Sequence, residues 1–290
     1  MVSAHRRHFV VDLGGGETLS CVLKGRNATL ACGDQVTVTR VTGGGVVDAV
    51  LPRASLLFRS DAYREKLIAA NVDQVIGVVA PDLSLDLELV NRWAVAASAE
   101  GCRFVIAANK SDQPGFATLA ARLEPFAVLG YNVVAVSATR DIAPLAPWFA
   151  GRHSVLIGQS GMGKSTILNA IAPLACARTA AVSDSLHTGR HTTTHSTLYA
   201  LGNAAGDGWV VDSPGMKAFG LAHLPPEAII AAFTEFGPYL GSCRFRDCRH
   251  DREPDCALRA AVAAGKAAPY RLALLRSLVN ESEQSRKPGR

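Results

Sequence analysis

Eight residues in the middle of the chain have the types and spacing needed to bind a nucleotide phosphate chain. Residues 158–165 run Gly-Gln-Ser-Gly-Met-Gly-Lys-Ser and fit the pattern G-x-x-x-x-G-K-[ST]. Glycines let the backbone point successive N–H groups at phosphate oxygens, and a following helix N-terminus adds positive potential. We expect Lys164 to contact the β- and γ-phosphates and Ser165 to ligate Mg²⁺. The predicted phosphate-binding residues are Gly158, Gln159, Ser160, Gly161, Met162, Gly163, Lys164, Ser165 and Thr166.

The sequence on either side of this loop supports the prediction. Residues 154–157 form an apolar run that predicts a buried strand, and residues 166–171 have the pattern of a helix start. A strand, a glycine-rich loop and a helix in this order are the setting that the motif requires. The alternative is an ordinary glycine-rich turn with a surface lysine.

A second motif predicts recognition of guanine. Residues 109–112 give N-K-x-D directly after a predicted strand at 103–108. The carboxylate of Asp112 can accept hydrogen bonds from both N1–H and the exocyclic amine of guanine, which adenine cannot offer. The alternative is a strand-to-helix turn with a capping aspartate. The predicted base-binding residues are Asn109, Lys110, Ser111 and Asp112, together with Ser137 and Ala138 at the end of the next predicted strand.

A third motif predicts contact with the γ-phosphate and its metal ion. Asp212 and Gly215 give D-x-x-G after the predicted strand at 209–211. In this motif the aspartate holds Mg²⁺ through water and the glycine N–H meets the γ-phosphate. Between this motif and the phosphate loop lies the polar stretch 188–195, in which one threonine would be a Mg²⁺ ligand of a first switch loop. We assign that role to Thr193, although the pattern does not separate it from its neighbours.

The residue after D-x-x-G is Met216, where many GTPases place a glutamine that orients the attacking water. A thioether cannot do this, so another group is required. His191 is the predicted substitute because an imidazole can hydrogen-bond a water at neutral pH, and His195 is the alternative.

The order of these motifs is unusual. N-K-x-D at 109 and Ser137-Ala138 precede the phosphate loop at 158, and D-x-x-G follows at 212. Ordinary GTPases begin with the phosphate loop, so this chain predicts a circularly permuted GTPase. In this arrangement D-x-x-G leads directly into the C-terminal part of the chain.

Four possible metal ligands occur within fourteen residues near the C-terminus. Cys243, Cys248, His250 and Cys256 follow the pattern C-x4-C-x-H-x5-C. Soft ligands at this density favour one structural Zn²⁺ over disulfides in a cytoplasmic protein. Arginines stand between the ligands and predict a basic loop suited to phosphate contacts. The alternative is a loop with solvated arginines and no metal.

The remaining pattern predicts three domains. Short alternating strands in residues 1–59 favour a small β-barrel of the oligonucleotide-binding (OB) or SH3-like type. Residues 60–222 alternate apolar strands with helices, which predicts a parallel sheet covered by helices on both faces. Residues 223–290 predict a helical zinc-binding domain, with a polar, unstructured tail from residue 281. The predicted fold class is therefore multidomain α/β.

Composition limits the environment. The net charge is +5, with +3 on residues 1–59, −1 on residues 60–222 and +3 on residues 223–290. Basic flanks suit a polyanionic partner, although such an excess also serves solubility alone. The sequence has no apolar run near 20 residues and no signal-peptide pattern, so we expect a cytoplasmic monomer without a membrane span.

Together, the predicted barrel, the permuted motifs with G-Q-S-G-M-G-K-S and G-R-H-T-T-T, and the cysteine–histidine pattern resemble the RsgA (YjeQ/YloQ) family of GTPases. The resemblance covers nearly the whole chain. It implies Mg²⁺-dependent GTP hydrolysis coupled to late maturation of the 30S ribosomal subunit, with the barrel and zinc domain contacting 16S rRNA. It also implies slow turnover until the subunit completes the site, with GTP and GDP as ligands. The alternatives are an RNA-binding assembly protein with a structural nucleotide and, against N-K-S-D, an ATPase.

Overall fold

The computed structural model of the chain describes residues 1–5, 8–15, 17–24, 29–60, 65–81, 86–173, 175–176, 196–202, 208–216 and 218–286. Their contacts define two compact units. The first unit comprises Met1–Phe58, Leu67–Leu85 and Glu100–Ala218, and the second Arg59–Lys66, Asp86–Ala99 and Phe219–Arg290. The three domains predicted at 1–59, 60–222 and 223–290 divide the chain differently and stay a prediction.

The described residues form thirteen strands. They are β1 Ser3–His5, β2 His8–Gly14, β3 Glu17–Leu23, β4 Val36–Val41, β5 Gly44–Val50, β6 Leu56–Ser60, β7 Glu65–Ala70, β8 Gln74–Val79, β9 Arg103–Ala108, β10 Asn132–Ala135, β11 His153–Ile157, β12 Thr197–Ala200 and β13 Trp209–Asp212. Six α-helices accompany them: α1 Leu87–Ala99, α2 Phe116–Val128, α3 Lys164–Ile171, α4 Pro226–Ala231, α5 Ala257–Ala263 and α6 Pro269–Arg286.

Eleven of these strands form one continuous sheet in the first unit, in the order β10-β9-β8-β11-β13-β12-β1-β2-β3-β5-β4. Five neighbouring strands of this sheet, β10, β9, β8, β11 and β13, are parallel, as their apolar runs predict. All six residues of β8 are buried. Because parallel strands end at one edge, the segments after β9, β10, β11 and β13 share that edge.

The N-terminal strands continue the same sheet. β12 pairs antiparallel with both β13 and β1, which joins the five N-terminal strands to the parallel strands. Within these five, the order is β1-β2-β3-β5-β4, with β3 and β5 parallel. This is the strand order of an OB-fold, and the parallel pair is incompatible with an antiparallel SH3-like barrel. The alternation in the sequence could not separate these two folds.

Alternating side chains place an apolar layer on each face of the parallel sheet. Ile76, Val105 and Leu156 share one buried cluster with Ile167 and Leu168 of α3. On the opposite face, Phe104 lies edge-on to Tyr131, which also contacts Phe126 of α2. The covering helices predicted from the sequence are therefore present in the first unit.

The second unit has its own core. Trp93, Phe233, Phe236, Leu258 and Leu278 are almost completely buried. Its helices contact one another, with α4 and α5 both against α6. Among the described residues, no helix combines the length and the hydropathy that crossing a bilayer requires.

The tail predicted to be unstructured from residue 281 was wrong for residues 281–286, which complete helix α6. The carboxylate of Glu281 accepts the Leu221 N–H at 3.0 Å and the Arg92 guanidinium at 2.7 Å. The hydroxyl of Ser282 donates to the Leu224 carbonyl. Polar composition alone suggested disorder, but these side chains stay ordered because they satisfy backbone groups within the second unit.

Candidate nucleotide and metal sites

The predicted base-binding segments meet in one pocket of about 290 Å³ at the carboxyl edge of the parallel sheet. Residues 109–112 follow β9, residues 137–138 follow β10, and the phosphate loop follows β11. Its lining residues are Asn109, Lys110, Asp112, Gln113, Ala138, Thr139, Gly163 and Thr166. The structure thus brings together N-K-S-D, Ser137-Ala138 and the phosphate loop, which are up to 57 residues apart in the sequence.

Asn109 links these segments. Its Nδ2 donates to the Met162 carbonyl at 3.0 Å, and its Oδ1 accepts the Ala138 N–H at 3.1 Å. A Cβ added to Gly163 would lie 2.2 Å from Asn109 Nδ2, and Gly163 has φ +96°. Only glycine combines the absence of a Cβ with easy access to this positive φ. Gly163 therefore allows the phosphate loop to lie close to Asn109 in the base pocket.

Asp112 lies at the floor of the pocket, with its side chain 10% exposed. Ser137 Oγ donates to Asp112 Oδ1 at 2.7 Å, and Arg140 Nε lies 3.2 Å from Oδ2. The hydrogen bond from Ser137 is the main cause that lowers the pKa of Asp112, and Arg140 adds to it. The carboxylate is therefore held ionised and can accept donors from a base. Ser111 contributes its N–H to the Val136 carbonyl.

The phosphate loop contains Lys164, whose ammonium is almost buried. Its Nζ donates to the Gly158 carbonyl at 2.9 Å and the Gln159 carbonyl at 3.0 Å. Burial lowers the pKa of Lys164, and the nearby Asp212 charge opposes this shift. Gly158 cannot carry a side chain, because a Cβ there would lie 2.6 Å from the Val78 carbonyl oxygen.

Asp212 is 4% exposed at the end of β13, and its Oδ1 has no hydrogen-bond partner among the described residues. Burial raises the pKa of Asp212 to about 6, although the Lys164 charge lowers it. A buried carboxylate oxygen without a donor is uncommon and fits a cation as its missing partner. The hydroxyl of Ser165, in the first turn of α3, is an exposed oxygen donor. Asp212 and Ser165 therefore fit Mg²⁺, because the buried Asp212 Oδ1 lacks a hydrogen-bond partner among the described residues and a cation could take that place.

The D-x-x-G segment lies against the phosphate loop. A Cβ on Gly215 would lie 2.9 Å from the Ser160 nitrogen. The Met216 N–H donates to the Gly158 carbonyl at 3.1 Å, and its side chain is buried. The methionine therefore offers no polar side-chain atom to a water. The other predicted switch residues, His191, Thr193 and His195, lie outside the described residues.

Cys243, Cys248, His250 and Cys256 form a compact cluster in the second unit, with their ligand atoms within 4.8 Å of one another. His250 Nδ1 lies 3.6, 3.5 and 3.4 Å from the three sulfurs. Tetrahedral zinc with ordinary bond lengths would separate nitrogen and sulfur by about 3.6 Å. Burial and the adjacent thiols raise the pKa of Cys248, so this thiol needs a bound cation to ionise at neutral pH. The donor set and its spacing fit zinc.

The loop around this cluster is less basic than its arginines suggested. Residues 243–256 contain four arginines and also four acidic residues, so their charges cancel. Arg244 pairs with Asp255 at 3.1 Å, and Arg249 with Glu283 at 3.6 Å. Arg246 and Arg252 are exposed and form no ion pair with another described residue. The loop therefore carries no net positive charge, and the guanidinium groups that it leaves available for a phosphate are those of Arg246 and Arg252.

Sequence reasoning missed three residues of the base pocket. Gln113 and Thr139 line it, and Arg140 pairs with Asp112. All three lie within two positions of a recognised motif, so closeness to a motif in the sequence could have identified them. The motif patterns do not include these positions.

Comparisons with known proteins agree with this geometry. A family model described as RsgA GTPase matches residues 50–222. The chain is 45% identical over 290 residues to the "Small ribosomal subunit biogenesis GTPase RsgA" of Nitrosospira multiformis, covering 99% of this chain and 92% of that protein. It is 44% identical over 292 residues to the protein of the same name from Bordetella pertussis, covering 99% and 96%.

Solved structures are similar across the whole chain. The crystal structure of YjeQ from Thermotoga maritima superposes with a TM-score of 0.72 at 31% identity, covering 97% of this chain and 96% of that one. The structure of YloQ, described as a circularly permuted GTPase, gives 0.68 at 26% identity, covering 100% and 95%. The permuted motif order, the shared edge of the parallel sheet and these matches have one explanation: the chain belongs to the RsgA GTPase family.

Proposed function

We propose that this protein hydrolyses GTP with Mg²⁺ and acts in biogenesis of the small ribosomal subunit. The observation that carries the proposal is the pocket in which Asp112, Asn109 and the phosphate loop converge. The relatives named as small ribosomal subunit biogenesis GTPases align over nearly the whole chain. We further propose that the protein acts as a cytoplasmic monomer, with GTP and GDP as its ligands.

In this proposal Asp112 selects guanine, and Asn109 ties the base pocket to the phosphate loop. Lys164 exchanges its hydrogen bonds to two loop carbonyls for contacts with β- and γ-phosphate oxygens. Ser165, Asp212 and Thr193 would hold Mg²⁺, which would supply positive charge against the charge that develops on the transferred phosphate. Gly215 presents its N–H at the γ-phosphate.

Water activation falls to His191 in this proposal. The support is indirect: Met216 is buried and carries no hydrogen-bonding side-chain atom at the usual glutamine position. We expect His191→Ala to lose most of the subunit-stimulated turnover while GTP affinity changes little. Equal stimulated rates would remove His191 and leave His195, a backbone group or an RNA group.

Contact with the ribosomal subunit is proposed for two regions, the N-terminal barrel and the cysteine cluster. OB-folds bind oligonucleotides, and β1–β5 have that strand order. At the cluster, Phe245 is 40% exposed with the Arg244 guanidinium over its ring. An exposed aromatic ring, in a loop that also carries the exposed Arg246 and Arg252, suits an unstacked RNA base and its phosphate.

The decisive experiment measures phosphate release from GTP at increasing concentrations of purified 30S or 50S subunits. We expect stimulation by 30S subunits alone, and binding that weakens steeply with salt because phosphate contacts release counterions. Stimulation by neither subunit would refute the proposed coupling.

The second candidate is an RNA-binding assembly protein with a structural nucleotide. Its support is the absence of a hydrogen-bonding side chain at Met216. GTP bound at one per chain, with negligible turnover at saturating 30S subunits, would favour it over the enzyme.

A further inference from the structure

Two side-chain hydrogen-bond donors and one guanidinium surround the carboxylate that is proposed to recognise guanine. Ser137 Oγ donates to Asp112 Oδ1 at 2.7 Å. Arg140 Nε lies 3.2 Å from Oδ2, and Gln113 Nε2 donates to the same oxygen at 3.3 Å. Each carboxylate oxygen accepts about two hydrogen bonds. Oδ2 therefore already faces a donor and a cation, whereas Oδ1 faces the Ser137 hydroxyl.

The bases differ in what they demand from this carboxylate. Guanine offers N1–H and the exocyclic amine and needs both oxygens. Hypoxanthine offers only N1–H, which Oδ1 can accept without any contact to Oδ2. Guanine must in addition bring its exocyclic amine to the oxygen that Gln113 and Arg140 already contact.

We propose that Arg140 is a specificity-determining residue of the base pocket, because it competes with the exocyclic amine of guanine for Oδ2 of Asp112. This inference rests on the proposed guanine site. Arg140 does not contact the base in this scheme; it acts through Asp112. Its presence weakens binding of guanine relative to hypoxanthine and speeds the release of GDP.

The local structure makes Arg140 an exchangeable partner. The turn after Ser137 is fixed, since the Arg140 and Asp141 N–H groups both donate to the Ser137 carbonyl, at 3.0 and 2.7 Å. The Asp112 side chain is 10% exposed, whereas that of Arg140 is 72% exposed. Arg140 can therefore rotate into solvent at little cost while Ser137 and Asp112 stay in place. Ion pairs with this exposure bias an equilibrium by up to about fivefold.

The test uses full-length, zinc-loaded wild type, Arg140→Ala and Arg122→Ala. Arg122 is an exposed arginine of α2, so its removal controls for the lost positive charge. Affinities and release rates of GDP, IDP and ADP are measured by competition against a fluorescent GDP analogue. The measurements are repeated at 1 M KCl, which screens an exposed ion pair.

Relative to Arg122→Ala, we expect Arg140→Ala to bind GDP about two- to fivefold more tightly, mainly through slower release, with IDP affinity unchanged. The difference should shrink at 1 M KCl. An unchanged ratio of GDP to IDP affinity, or weaker binding of both, would overturn the inference and leave Arg140 a structural partner. A wild type that binds GDP no better than ADP would overturn the guanine site itself, and with it this inference.

Discussion

The proposed nucleotide site and the cysteine cluster differ in how far apart in the sequence their residues lie, and therefore in how much each site depends on the fold. The nucleotide site draws on segments from Asn109 to Gly215, which meet because parallel strands end at one edge of the sheet. The cluster draws on fourteen consecutive residues whose ligand atoms mainly contact one another. Packing of the sheet and helices positions the first site. In contrast, we expect zinc binding at the second site to stabilise the fold around it.

This difference predicts opposite responses to the loss of one functional side chain. In the nucleotide site, hydrophobic layers beneath the edge hold the backbone whether or not a ligand is bound. In the cluster, one lost ligand removes the bond network that positions the loop. The predictions below test that contrast, from the largest expected effect to the smallest.

The largest effect is expected from the loss of zinc. Cys248→Ser should release the metal, of which we expect one per chain, and open residues 243–256. Structural zinc contributes about 10 kcal/mol in small domains, so the second unit should lose several kcal/mol of stability. Elemental analysis and thermal unfolding measure this.

Cys102→Ser is the matched control, because Cys102 lies in the first unit and its Sγ contacts the Val72 carbonyl as a hydroxyl could. GTP affinity should survive in both variants. Full zinc content in Cys248→Ser would refute the ligand assignment.

The next largest effect is a loss of activity without a loss of stability, and it is expected at Lys164. Lys164→Ala should lower GTP turnover by about 100-fold or more, since it removes a charge that faces the transferred phosphate. The melting temperature should stay the same or rise, because the burial of this ammonium opposes folding. Turnover near the wild-type rate would show that Lys164 lies outside the site, and a large fall in melting temperature would contradict the contrast drawn above.

A smaller effect is expected from a change in loop shape. Gly163→Ala would bring a Cβ to 2.2 Å from Asn109 Nδ2, whereas Gly151→Ala, also at positive φ, meets no atom within 4 Å. Both variants should lose about 1 kcal/mol of stability through backbone strain. Only Gly163→Ala should also lose nucleotide affinity, by about tenfold, as titration calorimetry with GDP can measure. Equal affinities would show that the loop adapts.

The smallest effect is a pH dependence in the second unit. Burial lowers the pKa of His223 to about 4, and Ser60 Oγ lies 2.8 Å from its Nδ1. Between the unfolded pKa of 6.5 and this value, the unfolded state binds a proton that the folded state does not, so stability falls as the pH falls. From pH 7.5 to 5.5 the loss should be about 0.5 kcal/mol, because solvent around the half-buried imidazole screens part of the effect.

His223→Asn should remove that part of the dependence, while acid effects on zinc persist in both proteins. Urea unfolding of the zinc-loaded proteins at both pH values measures the difference. Parallel curves for wild type and variant would exclude His223 as the titrating group.

Much of the site could be predicted because its motifs are local. The strand before each motif is an apolar run, and predicted strands such as 103–108 coincide with the observed β9. Glycines are required in the phosphate loop because neighbouring atoms lie too close for a side chain. This requirement can be recognised in the sequence as the glycine pattern. The four predicted cluster ligands are also closely spaced in the sequence, and the structure brings their ligand atoms together.

The tertiary structure decided what depends on distant partners. The pairing of β12 with β1 joins the predicted barrel to the parallel sheet, and no local pattern encodes it. Likewise, the polar end of α6 is ordered because Glu281 and Ser282 meet backbone groups about sixty residues away.

The sequence by itself therefore determined the chemistry: a permuted set of GTPase motifs and a cysteine–histidine ligand set, each carried by residues close together in the chain. Only the tertiary structure decided which donors surround those groups. Asp112 is shared between Ser137 and Arg140, and Asp212 keeps an unpaired buried oxygen. Such environments arise from hydrogen bonds and burial between segments, which side-chain type and spacing along one chain do not specify.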